Sequence, residues 1–357
     1  VTWYTNDNMP AQDVSAQISS LSAHVNQAPL PQELKNRISS RLNRFAKMSS
    51  STDVFDEVEH LANYIDWVTN LPWDKRSEDV LDLNRAKEIL DKHHYGLADI
   101  KNRVLEFISI MKLNKERQGN IARAPILCFV GLVGTGKTTV AYSIAEALGR
   151  QIARVPFGGM GSALDLRGQS RVHPEAEPGQ IIKAIKKAGT KNPVVLLDEI
   201  DRTADDARSS IMGVLIELLD PEQNHAFHDY YIDFSFNLSE VLFVTTANNT
   251  TNISTAVLDR LEVIQMPSYT DEEKITIGKS YMLPRVIEES GLPREVLVIQ
   301  DEVWASVVRP LGYDAGMRTL ERTIEGIARK VAREYVEGKL KQLTLTPENI
   351  KQYLPSY

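Results

Sequence analysis

The chain has 357 residues, 42% of them hydrophobic and 25% charged, with a formal net charge of −7. That length exceeds one ordinary domain, so two or three are expected, and the composition excludes a disordered, collagenous or repeat-dominated protein. The acidic balance is a poor electrostatic match for nucleic acid, no stretch approaches about 18 consecutive apolar residues, so no membrane span is expected, and the lone Cys128 excludes a disulfide framework or cysteine metal cage.

Between Pro29 and Asn70 the apolar residues fall at helical spacing. Phe55, Val58, Leu61, Ile65 and Val68 recur three or four apart, with Thr52 or Asp53 as the expected cap and Pro72 as the stop. Lys35, Arg37, Arg41, Arg44 and Lys47 make the preceding stretch a basic helix, read as a solvated face that leaves room for accessory DNA contact. From about residue 86 to 268, short apolar runs alternate with amphipathic helices: Ile126–Val130, Ile152–Pro156, Val194–Asp198, Val241–Thr246 and Val263–Met266. Such a pattern predicts a parallel sheet covered on both faces, an α/β fold. Gly149 and Gly189 are placed to end helices. Beyond Tyr269 the strand signal fades. Asp271–Glu289 reads as helix, and Met317, Leu320, Ile324, Ile327, Val331 and Tyr335 predict one long amphipathic helix in a small helical domain.

The strongest chemical signal is Gly131-Leu-Val-Gly-Thr-Gly-Lys-Thr138, which fits G-x-x-x-x-G-K-[ST] between a strand and a helix. Gly131, Gly134 and Gly136 let the backbone turn its N–H groups inward around phosphates. Thr135 and Thr139 flank the cradle, Lys137 adds charge at the β- and γ-phosphates, and the Thr138 hydroxyl is a Mg²⁺ ligand. Downstream, Val194-Val-Leu-Leu-Asp-Glu-Ile-Asp201 is an apolar strand ending in adjacent carboxylates. Asp198 is expected to hold Mg²⁺ through water, and Glu199 to polarise the attacking water. The strand ending at Asn248 offers an amide that orients the lytic water or touches the γ-phosphate, and that reads equally well as a strand-end turn former. Cys128, in the strand before the loop, is expected in the core, and His93 with His94 lacks the further ligands of a metal site.

With these residues in view, the chain resembles the ATPase module of Lon-type ATP-dependent proteases, members of the AAA+ superfamily. The likeness runs over nearly the whole length. It includes Asn63-Tyr-Ile-Asp-Trp, Leu71-Pro-Trp73, His94-Tyr-Gly-Leu97, Ala188-Gly-Thr-Lys-Asn-Pro-Val, Leu219-Asp-Pro-Glu-Gln-Asn224, Leu258-Asp-Arg-Leu-Glu-Val-Ile264 and Ala315-Gly-Met-Arg-Thr-Leu-Glu321. The resemblance implies a helical arm over 1–85, an AAA+ P-loop domain over 86–268 and a helical lid over 269–357. It also implies a ring, most often a hexamer, that uses ATP and Mg²⁺ to unfold and thread unfolded or damaged proteins. By the same resemblance, Tyr95 lines the adenine pocket and Asn248 is the first sensor. Arg260 is the arginine finger that reaches a neighbour's γ-phosphate, and Arg318 is the second sensor from the lid. The family's compartments are the bacterial cytoplasm, expected here, and organelle matrices, the mitochondrial matrix being the alternative; one cysteine fits a reducing interior.

The chain departs from the family at both pore loops. Arg171-Val-His-Pro-Glu-Ala-Glu-Pro-Gly179 carries His173 where a gripping tyrosine is expected, with Pro174, Glu175 and Glu177 making the loop stiffer and acidic; Arg208-Ser-Ser-Ile211 replaces Arg-Gly-Asp-Pro. Imidazole grips side chains less well than an aromatic paddle. The sequence begins at Val1, without a signal-peptide pattern, and the family's Ser–Lys proteolytic domain and most of its N-terminal region are not in it. It therefore reads as an excised piece that hydrolyses ATP without cleaving peptide bonds. Two other readings compete: a stand-alone AAA+ remodeller of nucleic acid, which the acidic pore loop disfavours, and a nucleotide-dependent scaffold, which the intact Lys137, Asp198, Glu199 and Arg260 disfavour.

Overall fold

The computed structural model of the chain describes residues 11–47, 52–118, 125–310 and 316–355. Three helices come first: α1 (Ala11–Gln27), α2 (Gln32–Lys47) and α3 (Thr52–Thr69). Two more, α4 (Leu83–His93) and α5 (Ala98–Gln118), lead into an α/β unit made of β1 (Ile126–Val130), α6 (Lys137–Leu148), β2 (Ile152–Pro156), α7 (Leu164–Arg167), α8 (Gln180–Ala188), β3 (Val194–Asp198) and α9 (Arg208–Leu218). It continues through a short hairpin, β4 (Phe227–Asp229) and β5 (Phe234–Phe236), and then β6 (Leu242–Ala247), α10 (Thr255–Leu258) and β7 (Leu261–Gln265). The last unit holds α11 (Asp271–Ile277), α12 (Leu283–Glu289), β8 (Leu297–Ile299), α13 (Trp304–Val308), α14 (Arg318–Val336), β9 (Leu343–Leu345) and α15 (Ile350–Tyr353).

The central sheet runs β2-β3-β6-β1-β7 and every pairing in it is parallel. A parallel sheet needs cover on both faces, and the inner strands β1, β3 and β6 are accordingly almost continuously buried. On one face Leu127, Phe129, Leu196 and Val244 pack against α4, α5 and α6; on the other Cys128, Val130, Val195 and Leu197 join α8, α9 and the first three helices. Cys128 is a core residue, as expected, and burial raises its thiol to about 11. The two glycines expected to end helices do so: Gly149 follows α6 and Gly189 follows α8, both at φ 66°.

The narrow strings near residue 70 acquire a physical purpose. Trp73 is buried against Phe236 (ring centroids 5.0 Å apart) and Phe234 (6.0 Å), and its indole N–H donates to the Val68 carbonyl at 2.7 Å. Tyr64 is buried and donates its hydroxyl to the Ile232 carbonyl at 3.0 Å. Together they dock α3 on the β4–β5 hairpin. Further on, Asn192 exchanges two hydrogen bonds with the Ser77 backbone (2.8 and 2.9 Å), and Arg150 forks onto Asp79 (2.6 and 3.0 Å) with both side chains buried. On α2, Arg37 pairs with Glu33 at 2.6 Å and Lys35 donates to the Asn26 carbonyl at 2.5 Å.

Several expectations need correction. α3 begins at Thr52, and the side chains of Thr52, Asp53 and Phe55, on which the expected cap and first apolar contact rest, lie outside the described residues. β6 begins at Leu242, after a turn closed by Val241 N–H on the Leu238 carbonyl, and runs on to Ala247. β7 starts at Leu261 because Glu262 and Gln265 break the apolar pattern while their backbones still pair with β1. The last unit is not purely helical: β8 and β9 pair in parallel, Leu297 with Leu343 through Ile299 with Leu345. Three-residue strands are too short to carry a period-two signal, and the same brevity hid the β4–β5 hairpin. Asp271–Glu289 is helical throughout but is interrupted by a π-helical turn at Gly278–Met282. Among the described residues no helix is long and apolar enough to cross a membrane.

Replacing Trp73 by alanine is expected to cost about 3–5 kcal/mol of stability, as for other buried aromatic truncations, and to free α3 from the hairpin. Chemical denaturation measures the first effect, and limited proteolysis between α3 and α4 the second.

Candidate active site

The carboxyl ends of β1, β3 and β6 bring the motif residues to one cleft of about 480 Å³. The loop after β1 turns through Gly134 (φ 83°) and Gly136 (φ 95°), a left-handed region that favours glycine. α6 then starts at Lys137. Lys137 is buried, and its ammonium donates to the carbonyls of Gly131 (2.7 Å) and Leu132 (2.9 Å) and to Asn248 Oδ1 (3.2 Å). Burial lowers its pKa; Glu199, Asp201 and Asp198 oppose that shift.

The strand-end carboxylates are held differently. Asp198 is buried, and its Oδ1 accepts a short hydrogen bond from the Thr246 hydroxyl and lies 3.4 Å from Thr138 Oγ1. Its Oδ2 accepts from Arg154 Nε at 2.7 Å and pairs with Nη2 at 2.6 Å. Glu199 follows at φ 57°, an uncommon conformation for a side-chain-bearing residue, with its N–H held by Thr246 Oγ1 at 2.9 Å. Asp201 accepts the Asn248 N–H at 3.0 Å and so ties the β3 and β6 ends together. Thr246, Asp201 and Arg154 were missed by sequence reasoning. The hydroxyl in the Thr-Thr-Ala-Asn string was the available signal for Thr246; nothing in the sequence marked Arg154.

The far wall of the cleft is the lid. Met317 and Arg318, at the start of α14, line it, and the Met317 N–H donates to the Gly134 carbonyl at 3.0 Å. A Cβ on Gly316 would sit 2.2 Å from the Val133 carbonyl oxygen, so only glycine allows this approach. Ala315, the first residue of that string, is outside the described residues. Tyr95 and His94 line the cleft too, together with Tyr281 and Arg285 of the lid. His94 is buried, its Nε2 lies 2.9 Å from Ser143 Oγ, and burial pushes its pKa down to about 4. His93 is paired with Glu146 at 3.2 Å.

The remaining candidates lie outside the cleft. Arg260 precedes β7 by one residue, with Leu261 opposite Ile126, whereas the loop follows Val130 at the other end of β1. The two are about 20 Å apart along the strands, at ~3.3 Å per residue. Arg260 donates to the Ala256 carbonyl at 2.7 Å and to Asp220 at 3.3 Å. His173 and Pro174 are exposed in the loop between α7 and α8, and the adjacent Val172, 87% exposed, is an apolar tip that sequence reasoning overlooked. The neck of that loop is closed by buried Asp229, which accepts from the Gly179, Tyr231 and Ile232 N–H groups (2.8–2.9 Å); burial raises its carboxyl to about 6. Arg208 begins α9 and pairs closely with Asp205.

The donor set suits a nucleotide with its magnesium ion. Hydroxyl and carboxylate oxygens meet at Thr138 and Asp198, the hard donors that magnesium takes, and Asn248 Nδ2 is buried beside Lys137 with no hydrogen-bond partner among the described residues. Fold and site together define a P-loop ATPase of the AAA+ class. Residues 127–269 match the ATPase family associated with various cellular activities (AAA), and residues 288–344 match the Lon protease AAA+ ATPase lid domain. The chain is 43% identical over 344 residues to Lon protease of Lawsonia intracellularis, covering 96% of this chain and 40% of that one. It is 41% identical over 340 residues to Lon protease of Geobacter metallireducens (95% and 40%), and 43% identical over 332 residues to Lon protease 2 of Thermus thermophilus (91% and 41%). The chain belongs to the Lon family, of which it carries the ATP-binding AAA+ module and lid, and it spans about 40% of the length of these relatives.

Gly316→Ala is expected to push the lid off the Gly134 carbonyl and weaken nucleotide binding about tenfold, in line with the usual cost of overpacking. Fluorescence titration with a nucleotide analogue checks it against Gly213→Ala, where an added methyl meets nothing within 4 Å. His94 is neutral in the fold but titrates near 6.5 when unfolded, so its contribution to stability is complete above 6.5 and is lost as pH falls toward 4. His94→Gln is expected to flatten that part of the stability–pH curve, measured by denaturant melts from pH 4 to 7.

Proposed function

We propose that the chain is the motor of a Lon-type ATP-dependent protease. It works as a ring, most often six copies, in the bacterial cytoplasm, and couples ATP hydrolysis to unfolding and threading of damaged proteins toward a peptidase. The reading divides the chain into an arm over 1–85, an AAA+ domain over 86–268 and a lid over 269–357. The observation that carries it is the position of Arg260, about 20 Å along the strands from its own phosphate loop. An arginine there is too far to reach its own nucleotide, which supports a role at a nucleotide held by the next copy.

In this mechanism the backbone around Gly131, Gly134, Thr135, Gly136 and Thr139 binds the phosphates, with Lys137 supplying charge at the β and γ positions. Tyr95 packs against the base. Thr138 and, through water, Asp198 would hold the magnesium ion, which would neutralise phosphate charge. Glu199 polarises the attacking water and Asn248 orients it. A neighbour's Arg260 and the lid's Arg318 stabilise charge on the transferring phosphoryl group, which makes hydrolysis depend on subunit contact and lid position. His173, Pro174 and Arg208 belong to the pore loops. With Val172 exposed beside His173, grip relies on a small apolar tip in place of an aromatic paddle.

Turnover per subunit is expected to rise with protein concentration, and to fall on the order of a thousandfold in Arg260→Ala, the lower end of what a trans arginine supplies. Glu199→Gln is expected to retain nucleotide binding while turnover collapses. Steady-state ATP hydrolysis over a concentration series, with sedimentation of the same samples, tests both. Turnover indifferent to concentration and to Arg260 rejects the trans finger.

A further inference from the structure

Arg154 has no part in the mechanism above, yet it holds the carboxylate placed at the metal. β2 is the edge strand of the sheet and its burial alternates, Ala153 and Val155 inward and Arg154 outward. In register, Arg154 lies opposite Leu196, so Asp198, two residues further along β3, is its diagonal neighbour on the same face. The guanidinium reaches across with Nε at 2.7 Å and Nη2 at 2.6 Å from the same oxygen, Oδ2. Oδ1 is left to the Thr246 hydroxyl and faces Thr138.

The two partners differ sharply in access to water: the Asp198 side chain is 4% exposed and that of Arg154 49%. A carboxylate this buried is costly without a cation. Lys137 attracts Asp198 from a distance, but its ammonium donates its hydrogen bonds to two carbonyls and Asn248. Among the described residues, Arg154 is the cation paired with Asp198. A magnesium ion carried in with a nucleotide places a second cation against the same carboxylate. Two cations there repel, and the one with a route to solvent gives way. Arg154 sits on an edge strand and is half in water, so it can leave at small cost.

We infer that Arg154 is a placeholder cation on Asp198, neutralising the buried carboxylate when no metal is present and yielding to the magnesium ion that arrives with nucleotide. Resting on the nucleotide reading of the cleft, this makes Arg154 a positioning residue that sets how strongly magnesium assists nucleotide binding. Its Oδ2 contact keeps the site closed to stray cations, and its departure marks the loaded state.

The test is the dissociation constant of a fluorescent ADP analogue from the full chain, measured in EDTA and in saturating Mg²⁺. The decisive quantity is the ratio of the two. Arg154→Gln removes the charge, so the ratio is expected to rise roughly threefold, the scale of a half-exposed ion pair; Arg154→Lys, which keeps a cation, is expected to stay near the unchanged chain. A merely structural role shifts both constants alike and leaves the ratio unaltered, which overturns the proposal. A smaller ratio also overturns it, since Arg154 then assists the metal. If Arg154→Gln loses its cooperative melt, Arg154→Met supplies a second charge-free side chain judged by the same ratio. Failure of the unchanged chain to bind the analogue in either buffer overturns the nucleotide reading and this proposal together.

Discussion

Gly134 and Gly316 bring two separate packing units into backbone contact, and the chemistry of the cleft depends on that approach. The Gly134 carbonyl accepts the Met317 N–H at 3.0 Å, and no Cβ fits at Gly316. The phosphate loop stands on the sheet core; α14 stands on the lid core, where Leu320, Ile324, Ile327 and Val331 are buried. Neither unit alone encloses the cleft. The Met317 hydrogen bond is worth only about 1 kcal/mol net, and the Tyr269 hydroxyl adds a long one to the Thr135 carbonyl at 3.5 Å, so light polar contacts set the position of Arg318.

The carboxylate end of β3 shows the same economy. Asp198, Glu199 and Asp201 leave the strand within four residues, and their carboxylates have different partners: Arg154 and Thr246 for Asp198, Arg202 for Glu199 at 3.4 Å, and the β6 end for Asp201. Three acidic side chains so close repel one another unless each is separately compensated. For Asp198 and Asp201 the compensation comes from the neighbouring strands β2 and β6, and for Glu199 from Arg202 in the loop that follows.

Away from the cleft, α3 and the β4–β5 hairpin form a brace. Tyr64 and Trp73 seat the helix on the hairpin, Arg171 stacks over Tyr64 at 3.8 Å, and Asp229 pins the neck of the loop that carries Val172 and His173. The exposed loop thus rises from a rigid base shared by the arm and the α/β unit. Its tip is free to differ from the family pattern, because nothing in the core rests on it.

Much was legible in the sequence because it is written in local chemistry. The continuous apolar runs of β1 and β3 agree with their observed bounds, since strands buried on both faces admit little else; the edge strand β2, whose burial alternates, also keeps its expected bounds. The glycine-rich loop, the paired carboxylates and the helix-ending Gly149 and Gly189 are likewise local requirements of φ, charge or phosphate geometry. What the sequence could not carry is pairing between distant segments. The β8–β9 ladder, the Trp73 pocket formed by Phe234 and Phe236, and the Arg154–Asp198 fork each join residues whose own neighbours in the chain say nothing about the partner. Arg154 is one more surface arginine until the register of two strands sets it beside a buried carboxylate. The position of Arg260, remote from its own phosphate loop, was likewise decided by strand direction, because in a parallel pair the amino end of β7 and the carboxyl end of β1 lie at opposite edges of the sheet.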